Sequence, residues 1–402
     1  MTDSIRSDFP FFARPGAPVY LDSAATAQKP QCVLDRLTAY YTGENANIHR
    51  GSYALAAEAT RSYEQARAEI AALIGASAGQ VAFTQGATDA LNQAAHLLAP
   101  TIGAGCNVVT TALEHHSALL PFMRLCREKH AELRILPLGE DGLPRLELLP
   151  QLVDQNTAAA VLTAGASANG WRAPLDTLMP YFAARQIPVV LDATQRIVHE
   201  RLDFARLGCD FLCFSGHKLY GPTGIGVLAM KERWTGGDPF RLGGGIVREV
   251  TESGYSLLPG IEAFEAGTPP IAQALGLQSA VRYLLSHDPE RLYAREEALT
   301  RRLLDGLTAI EGIHVVPAGE HRLPIVSFVS DAIHPADMAQ LLGARGICCR
   351  CGQHCAHIAH RQLGLESTIR ASIGIYTTDE DIDALLNATE QIQQRWRKRH
   401  DL

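Results

Sequence analysis

The chain has no run of about 18 apolar residues, the length that a membrane-crossing helix needs, anywhere in its 402 positions. Its opening segment, Met1 to Gly16, also lacks the apolar stretch of a secretory leader. A cytoplasmic protein with no membrane partner is the expectation. There is no basic block either: formal net charge is −7, and the charged residues, 20% of the chain, are of both signs. Without a positive field nothing gathers nucleic acid. No pair of C-x-x-C motifs occurs. The nine cysteines are an odd number, and those in apolar runs, such as Cys209 and Cys213, read as buried thiols of a reducing compartment. Cys348, Cys349, Cys351 and Cys355 stand near His354 and His357, but that spacing fits no paired zinc-ligand pattern, so no metal is expected. Internal repeats and low-complexity tails are missing too.

What the chain does have is alternation. Its length exceeds one compact core, so two domains are the natural division. Short apolar runs, predicted as strands at 81–84, 107–110, 133–136, 158–163, 188–192, 210–214 and 225–230, are separated by turns or helix-length segments. That order implies a mainly parallel sheet with ligands at the carboxyl ends of its strands. A shorter strand is expected near 19–21. Helical periodicity over 55–74 puts Tyr63, Ala66, Ile70 and Leu73 on one face, and Gly75 closes it. The loop 43–51, with Asn45, Asn47, His49 and Arg50, is a candidate ligand-facing loop, His49 and Arg50 being candidate substrate contacts. Beyond Pro239 the stretch to Pro270 reads as loops crossing back over the site. Helical pattern resumes over 271–306, and a smaller domain follows with strands near 325–329, 347–350 and 369–373. The last helix starts at Thr378, acidic in its first turn and basic at its end, as the helix dipole favours.

The chemistry concentrates at strand ends. The apolar run 211–214 stops at Ser215-Gly216-His217-Lys218, and Gly221-Pro222, Gly224 and Gly226 forbid a long helix beyond it. A lone lysine in such a place is most often a surface residue. On an ordered turn beside a carbonyl cofactor it is a Schiff-base former, with Ser215 and His217 as phosphate ligands. The strand, turn and helix around Gln85-Gly86-Ala87-Thr88-Asp89, with the helix expected from about Ala90, make an anion site. A cofactor phosphate is assigned there, beside Ala87 and the Thr88 hydroxyl. Asp192 ends another apolar strand, where a carboxylate can pair with a pyridinium nitrogen; Gln195 is placed to reach a ring hydroxyl. His115 ends a third, where an imidazole can stack on a ring and carry a proton. Thr88, His115, Ser167, Asp192 and Lys218 all fall at strand ends, and one strand separates Asp192 from Lys218. Together they are the parts of a pyridoxal phosphate site. Cys355 follows a glycine-containing loop, with His354 and Arg350 expected to favour its thiolate. A thiolate near a Schiff-base lysine suits attack on a substrate sulfur.

The same stretches carry a resemblance that covers essentially the whole chain. They are Tyr20-Leu21-Asp22-Ser23-Ala24-Ala25, His49-Arg50-Gly51, Glu114-His115-His116, the run from Phe214 to Gly224, Phe264-Glu265-Ala266-Gly267-Thr268-Pro269, Arg350-x-Gly-x-His-Cys355 and Arg370-Ala371-Ser372. With them the chain resembles the group II (SufS- and CsdA-like) cysteine desulfurases of the class V aminotransferase family, which are fold-type I pyridoxal phosphate enzymes. The resemblance implies an α/β fold: a large domain over 25–265 with a mainly parallel seven-stranded sheet flanked by helices. A smaller α+β domain is formed by 1–24 with 266–402. It further implies a homodimer with pyridoxal phosphate on Lys218, stacked under His115 and paired to Asp192. Ser215, His217 and Thr88 would hold the phosphate, and Thr268 would reach in from the partner subunit. Arg370 would clamp the carboxylate of L-cysteine, with Arg350 a second candidate, and Cys355 would take the sulfur as a persulfide. A protein acceptor, in sulfur mobilisation and iron–sulfur cluster assembly, would collect it.

Some positions depart from that pattern. Where the family usually has an asparagine near the ring hydroxyl, this chain has Ser167, and Asn169 substitutes only if the loop 164–170 shifts. Gln85 stands where arginine is common, Ala87 where threonine is, and Thr194-Gln195-Arg196 replaces a smaller-residue version. Other readings of the scaffold are therefore a selenocysteine lyase, a C–S lyase, a redirected biosynthetic enzyme, or a non-catalytic sulfur-relay protein. Cys355 and its motif are intact, which favours desulfuration.

Overall fold

A computed structural model describes residues 2–399. A seven-stranded sheet has the order Val81–Thr84, Gly226–Met230, Phe211–Ser215, Val189–Asp192, Thr157–Thr163, Asn107–Thr111, Glu132–Leu136. Gly226–Met230 runs antiparallel to both neighbours; the other pairings are parallel. The strands that flank Gly226–Met230 consequently point the same way as the rest, and their carboxyl ends share one edge. Both faces of the sheet are covered. Val109, Leu162, Leu191, Leu212 and Phe214 enter one core, while Val108, Val161, Val190, Phe211 and Cys213 enter the other, the period-two alternation of a doubly buried sheet. Helices Ala54–Leu73 and Ile271–Leu285 close the first core, and Ala87–Leu98 and His116–Lys129 the second. This is the fold-type I architecture that the resemblance implied.

A second, antiparallel sheet of four strands has the order Ile313–Val315, Ile325–Ser330, Thr368–Ser372, Arg350–Gly352. Helices Pro289–Ala309 and Asp379–Arg399 pack on it around Leu303, Phe328, Ile369 and Leu385. Val19–Tyr20 pairs with Ile347–Cys348, and Asp22 bridges Ser372. The start of the chain is thereby tied to its C-terminal third. Among the described residues no helix is long and apolar enough to cross a membrane.

Several elements differ from their sequence expectation. The helix expected from about Ala90 begins at Ala87, because Gly86, at φ 155°, takes the cap position in a conformation open to glycine. The loops beyond Pro239 contain a hairpin, Val247–Thr251 with Gly254–Leu257. Both strands are largely exposed, so neither shows the apolar alternation that marks a half-buried strand. The helical stretch over 271–306 is two helices: Asp288 caps the second through the Glu290 N–H, and Pro289 starts it. The strand near 347–350 is also two, since Ile347–Cys348 pairs with Val19–Tyr20 and Arg350–Gly352 with Thr368–Ser372.

Candidate active site

At the shared strand edge lies a cavity of about 240 Å³. Ala87, Thr88, His115, Ser167, Asp192 and Gln195 line it, as do Ser215, His217, Lys218, Arg350, Cys355 and Arg370. The parallel strands deliver Asp192, Ser215 and Lys218 to one edge, and the antiparallel sheet brings Arg350, Cys355 and Arg370 against it, so residues up to 346 positions apart (from 24 to 370) meet there.

The end of the cavity suited to an anion is built from two facing glycines. A Cβ on Gly226 would lie 2.4 Å from Gly86 Cα, so only glycine lets this strand back against the helix entrance. Ala87 N–H donates to Ser215 Oγ at 2.8 Å, and the Thr88 and Ser117 hydroxyls are 2.7 Å apart. Ser117 also ties this end to the next residue group, its N–H donating to His115 Nδ1 at 3.1 Å. Ser117 carried no sequence signal, since a serine two residues into a helix start is ordinary.

Lys218 sits on the turn after Phe211–Ser215. The carbonyl of His217, just before it, accepts from Ala27 N–H at 3.1 Å, Lys29 Nζ at 3.0 Å and the Thr26 hydroxyl at 3.3 Å. The N-terminal segment thus pins the lysine turn, a role sequence reading missed. Burial pulls the Lys218 amine down to about 8, while the Asp192 charge opposes that shift. Burial, then the Lys218 charge, lowers His115 to about 4, so its imidazole is neutral at neutral pH. Asp192, 5% exposed, accepts the Thr194 N–H at 3.0 Å. Glu114 behind it is pushed up to about 8 by burial, although the Thr163 N–H and Thr111 hydroxyl bond its Oε1. Glu114 is therefore protonated at neutral pH, and Asp192 does not share the strand ends with a second negative charge.

Opposite the lysine stand two arginines. Arg370 is 3% exposed; its Nη1 donates to the Ser167 carbonyl at 3.0 Å, its Nη2 to Asp22 at 3.2 Å, and its Nε has no partner. Arg350 reaches the same Asp22 at 3.2 Å. Asp22 is the functional residue that sequence reading most clearly missed: it orients both guanidinium groups, yet lies 328 and 348 positions from them. Cys355 is exposed at the cavity, on a turn between Arg350–Gly352 and the helix His357–Gln362. His354 and Cys355 both have positive φ, 48° and 56°, a conformation that costs a side chain about 1–2 kcal/mol per residue. The turn is held by His116 N–H donating to the Cys355 carbonyl at 2.9 Å. The expectation that His354 favours the thiolate is corrected: burial, first, and the Arg370 charge lower its imidazole to about 2. It is neutral, packed under Thr368 at 2.9 Å, and supplies no positive charge.

Three expected residues do not reach the cavity in their own chain. His49, Arg50 and Thr268 line a separate cavity with Gly244 and Gly245, because the loop at 45–51 packs on the segment after Glu262 and not on the strand edge. Asn169 does not replace the missing amide: it is spent on the Pro317 carbonyl at 2.8 Å and the Trp171 N–H at 3.0 Å. Ser167 keeps that place at the cavity. Gln195 lines the cavity but gives its amide to the Ala24 carbonyl at 2.9 Å. Gln85 lies outside, bonded through its N–H to Asp89.

The donor set fits pyridoxal phosphate. It offers an amine of lowered basicity for the aldehyde, a buried carboxylate for the pyridinium nitrogen and a neutral imidazole for the ring. A helix entrance with hydroxyls suits the phosphate. Comparison with known proteins agrees. The Aminotransferase class-V family model matches residues 19–385. A probable cysteine desulfurase of Pseudomonas putida is 38% identical over 396 residues, covering 96% of this chain and 97% of that one. The crystal structure of the cysteine desulfurase CsdA of Escherichia coli superposes with a TM-score of 0.92 at 32% identity, over 98% of this chain and 99% of that chain. The apo cysteine desulfurase of Thermococcus onnurineus NA1 gives 0.94 at 31%, over 98% of each. Sheet, lysine turn and family model converge on one conclusion: the chain belongs to the aminotransferase class-V family, whose cofactor is pyridoxal phosphate.

Proposed function

We propose that the chain is a cysteine desulfurase, turning L-cysteine into L-alanine and passing the sulfur through Cys355 to an acceptor. One observation carries this reading: Cys355, Lys218 and Arg370 line the same cavity. A thiol, an amine and a carboxylate clamp are what the reaction needs from the protein.

When bound, pyridoxal phosphate supplies an electron sink for charge developing at the substrate Cα. Arg370, buried and already oriented by Asp22, binds the substrate carboxylate. Lys218, whose amine would hold the aldehyde of the coenzyme, is the group placed to move the Cα proton; an amine near 8 does this close to neutral pH. His115, kept neutral by burial and with Nδ1 accepting the Ser117 N–H, carries its proton on Nε2 and donates a hydrogen bond from there; the substrate thiol proton stays on the sulfur that is transferred. The Cys355 thiolate then attacks the substrate sulfur. The S–S bond forms as the C–S bond breaks, and the C–S electron pair stays with the carbon, which gains a proton and becomes the methyl group of alanine. Cys355 is exposed, so a second thiol can collect the persulfide sulfur.

The active unit in this reading is a homodimer, in which His49, Arg50 and Thr268 of one copy complete the cavity of the other. Their grouping away from their own cavity supports it, as do exposed Phe240, Leu242 and Tyr255 on the neighbouring segment. The division into a large domain over 25–265 and a small one from 1–24 with 266–402 belongs to the same reading; the four-stranded sheet with its own core around Leu303, Phe328 and Ile369 supports a second domain, while Phe9 and the helix Ile271–Leu285 pack into the core of the large sheet. Nine free thiols accord with the cytoplasm. Incubation with pyridoxal phosphate, L-cysteine and a reductant should yield alanine and sulfide in equal amounts. Cys355→Ala should lose sulfide release and keep the coenzyme absorbance. Pyruvate in place of alanine, or sulfide release undiminished in Cys355→Ala, contradicts the proposal.

A further inference from the structure

Arg196 stands four residues after Asp192, where the related pattern has a smaller side chain. It is buried. Its Nη1 donates to the Ala173 carbonyl at 2.6 Å and reaches the Ala164 carbonyl at 3.4 Å. Glu200 pairs with Arg196 and with Arg172. Burial first, then the Arg172 charge, lowers the Arg196 guanidinium to about 10, and the Asp176 charge opposes that shift. The group is still a cation at neutral pH.

The two carbonyls are the ends of one loop. Between Thr157–Thr163 and the helix Leu175–Ala183 the chain doubles back on itself. Ala166 N–H donates to the Trp171 carbonyl at 2.8 Å, Ala173 N–H donates to the Ala164 carbonyl at 3.1 Å, and Gly165 bridges Arg172. A Cβ on Gly165 would lie 2.3 Å from Leu323 Cδ1 and 3.5 Å from Arg196 Cβ, so glycine lets the loop close on both. Inside the loop lies Ser167, which meets both arms of the substrate site. Its carbonyl accepts from Arg370 Nη1 at 3.0 Å, and its hydroxyl donates at 3.5 Å to the carbonyl of His354, the residue before Cys355. Asp22 holds the other nitrogen of the Arg370 fork, Nη2, at 3.2 Å.

We propose that Arg196 is a positioning residue for carboxylate recognition: it ties the ends of the loop 164–173 and, through the Ser167 carbonyl, sets the orientation of the Arg370 guanidinium. This role rests on Arg370 clamping the carboxylate, as in the reading above. A planar fork binds a carboxylate through two parallel N–H donors, so its affinity depends on how the plane is held.

Titration of the pyridoxal phosphate-loaded protein with L-alanine, followed by absorbance of the coenzyme, tests it. Ethylamine, which is L-alanine without the carboxylate, is the control ligand. Arg196→Met keeps an apolar stem and removes the donors. It should bind L-alanine about tenfold more weakly and ethylamine as the wild type does. Glu200→Gln removes the charge paired with Arg196 and should weaken L-alanine in the same selective way; it decides the matter if melting curves show Arg196→Met unfolded. L-Alanine binding undiminished in the folded variants, or ethylamine weakened as much as L-alanine, overturns the proposal. Ligand binding is read here, not turnover. A wild type that forms no sulfide from L-cysteine would therefore count against the proposed reaction, while a carboxylate-selective loss in the variants would still support the role of Arg196.

Discussion

Lys218 offers the sharpest quantitative test of the site. Its amine is pulled from 10.5 down to about 8, chiefly by burial. At pH 7 about 9% of such amines are free, against roughly 0.03% of ordinary lysines, so attack on an aldehyde gains about 300-fold from this shift alone. The assay is capture of pyridoxal phosphate by cofactor-free protein, followed by absorbance as pH is raised, with Nα-acetyl-lysine as the reference amine. For the protein, capture should rise about tenfold per pH unit and level off near 8, while the reference keeps rising toward 10.5. Asp192 opposes the shift, so Asp192→Asn should move the break below 8. A break near the reference value, or one that moves upward in Asp192→Asn, would refute the claim that burial sets the reactivity of this lysine.

Three further outcomes follow from the geometry. Arg370→Lys keeps a charge but loses the fork that a carboxylate needs; KM for L-cysteine should rise about tenfold or more with coenzyme absorbance unchanged. Glu114 has a folded value near 8, above its ordinary 4.5. The protonated form is the one the fold favours, so its contribution is complete below 4.5 and is lost as pH climbs through 8. Glu114→Gln should remove that loss, and the difference between wild type and variant in urea unfolding should change by roughly 3–5 kcal/mol across this range. In Gly226→Ala the new Cβ would meet three Gly86 backbone atoms at 2.4–2.9 Å, whereas a Cβ at Gly103 meets nothing within 4 Å. Titration with pyridoxal phosphate and thermal melting should show weaker binding and lower stability in Gly226→Ala, with neither in Gly103→Ala.

The catalytic strand edge was legible because its signals are local. An apolar strand cut off by a polar residue marks Asp192, Ser215 and His115 in the sequence itself, and parallel pairing brings such ends together. What could not be read there depends on distant partners. Asp22 becomes an arginine clamp only because Val19–Tyr20 docks beside Ile347–Cys348. His354 stands next to Cys355 in the chain and looks like a source of charge, but burial against Arg370 makes it neutral. Asn169 has the right side chain two positions from the right place, and the Pro317 carbonyl claims it. The hairpin of Val247–Thr251 was hidden since exposed strands need no apolar alternation.

The claim on which the proposed chemistry rests is that sulfur leaves the substrate onto the thiol at 355. Mass analysis of peptides from the loaded protein, after brief exposure to L-cysteine without reductant, tests it directly. The account predicts one added sulfur atom on the Cys355 peptide, matched by one alanine formed per site, and none on the other eight cysteines. Alanine formed without that added sulfur, or sulfur found first on another thiol, would contradict it.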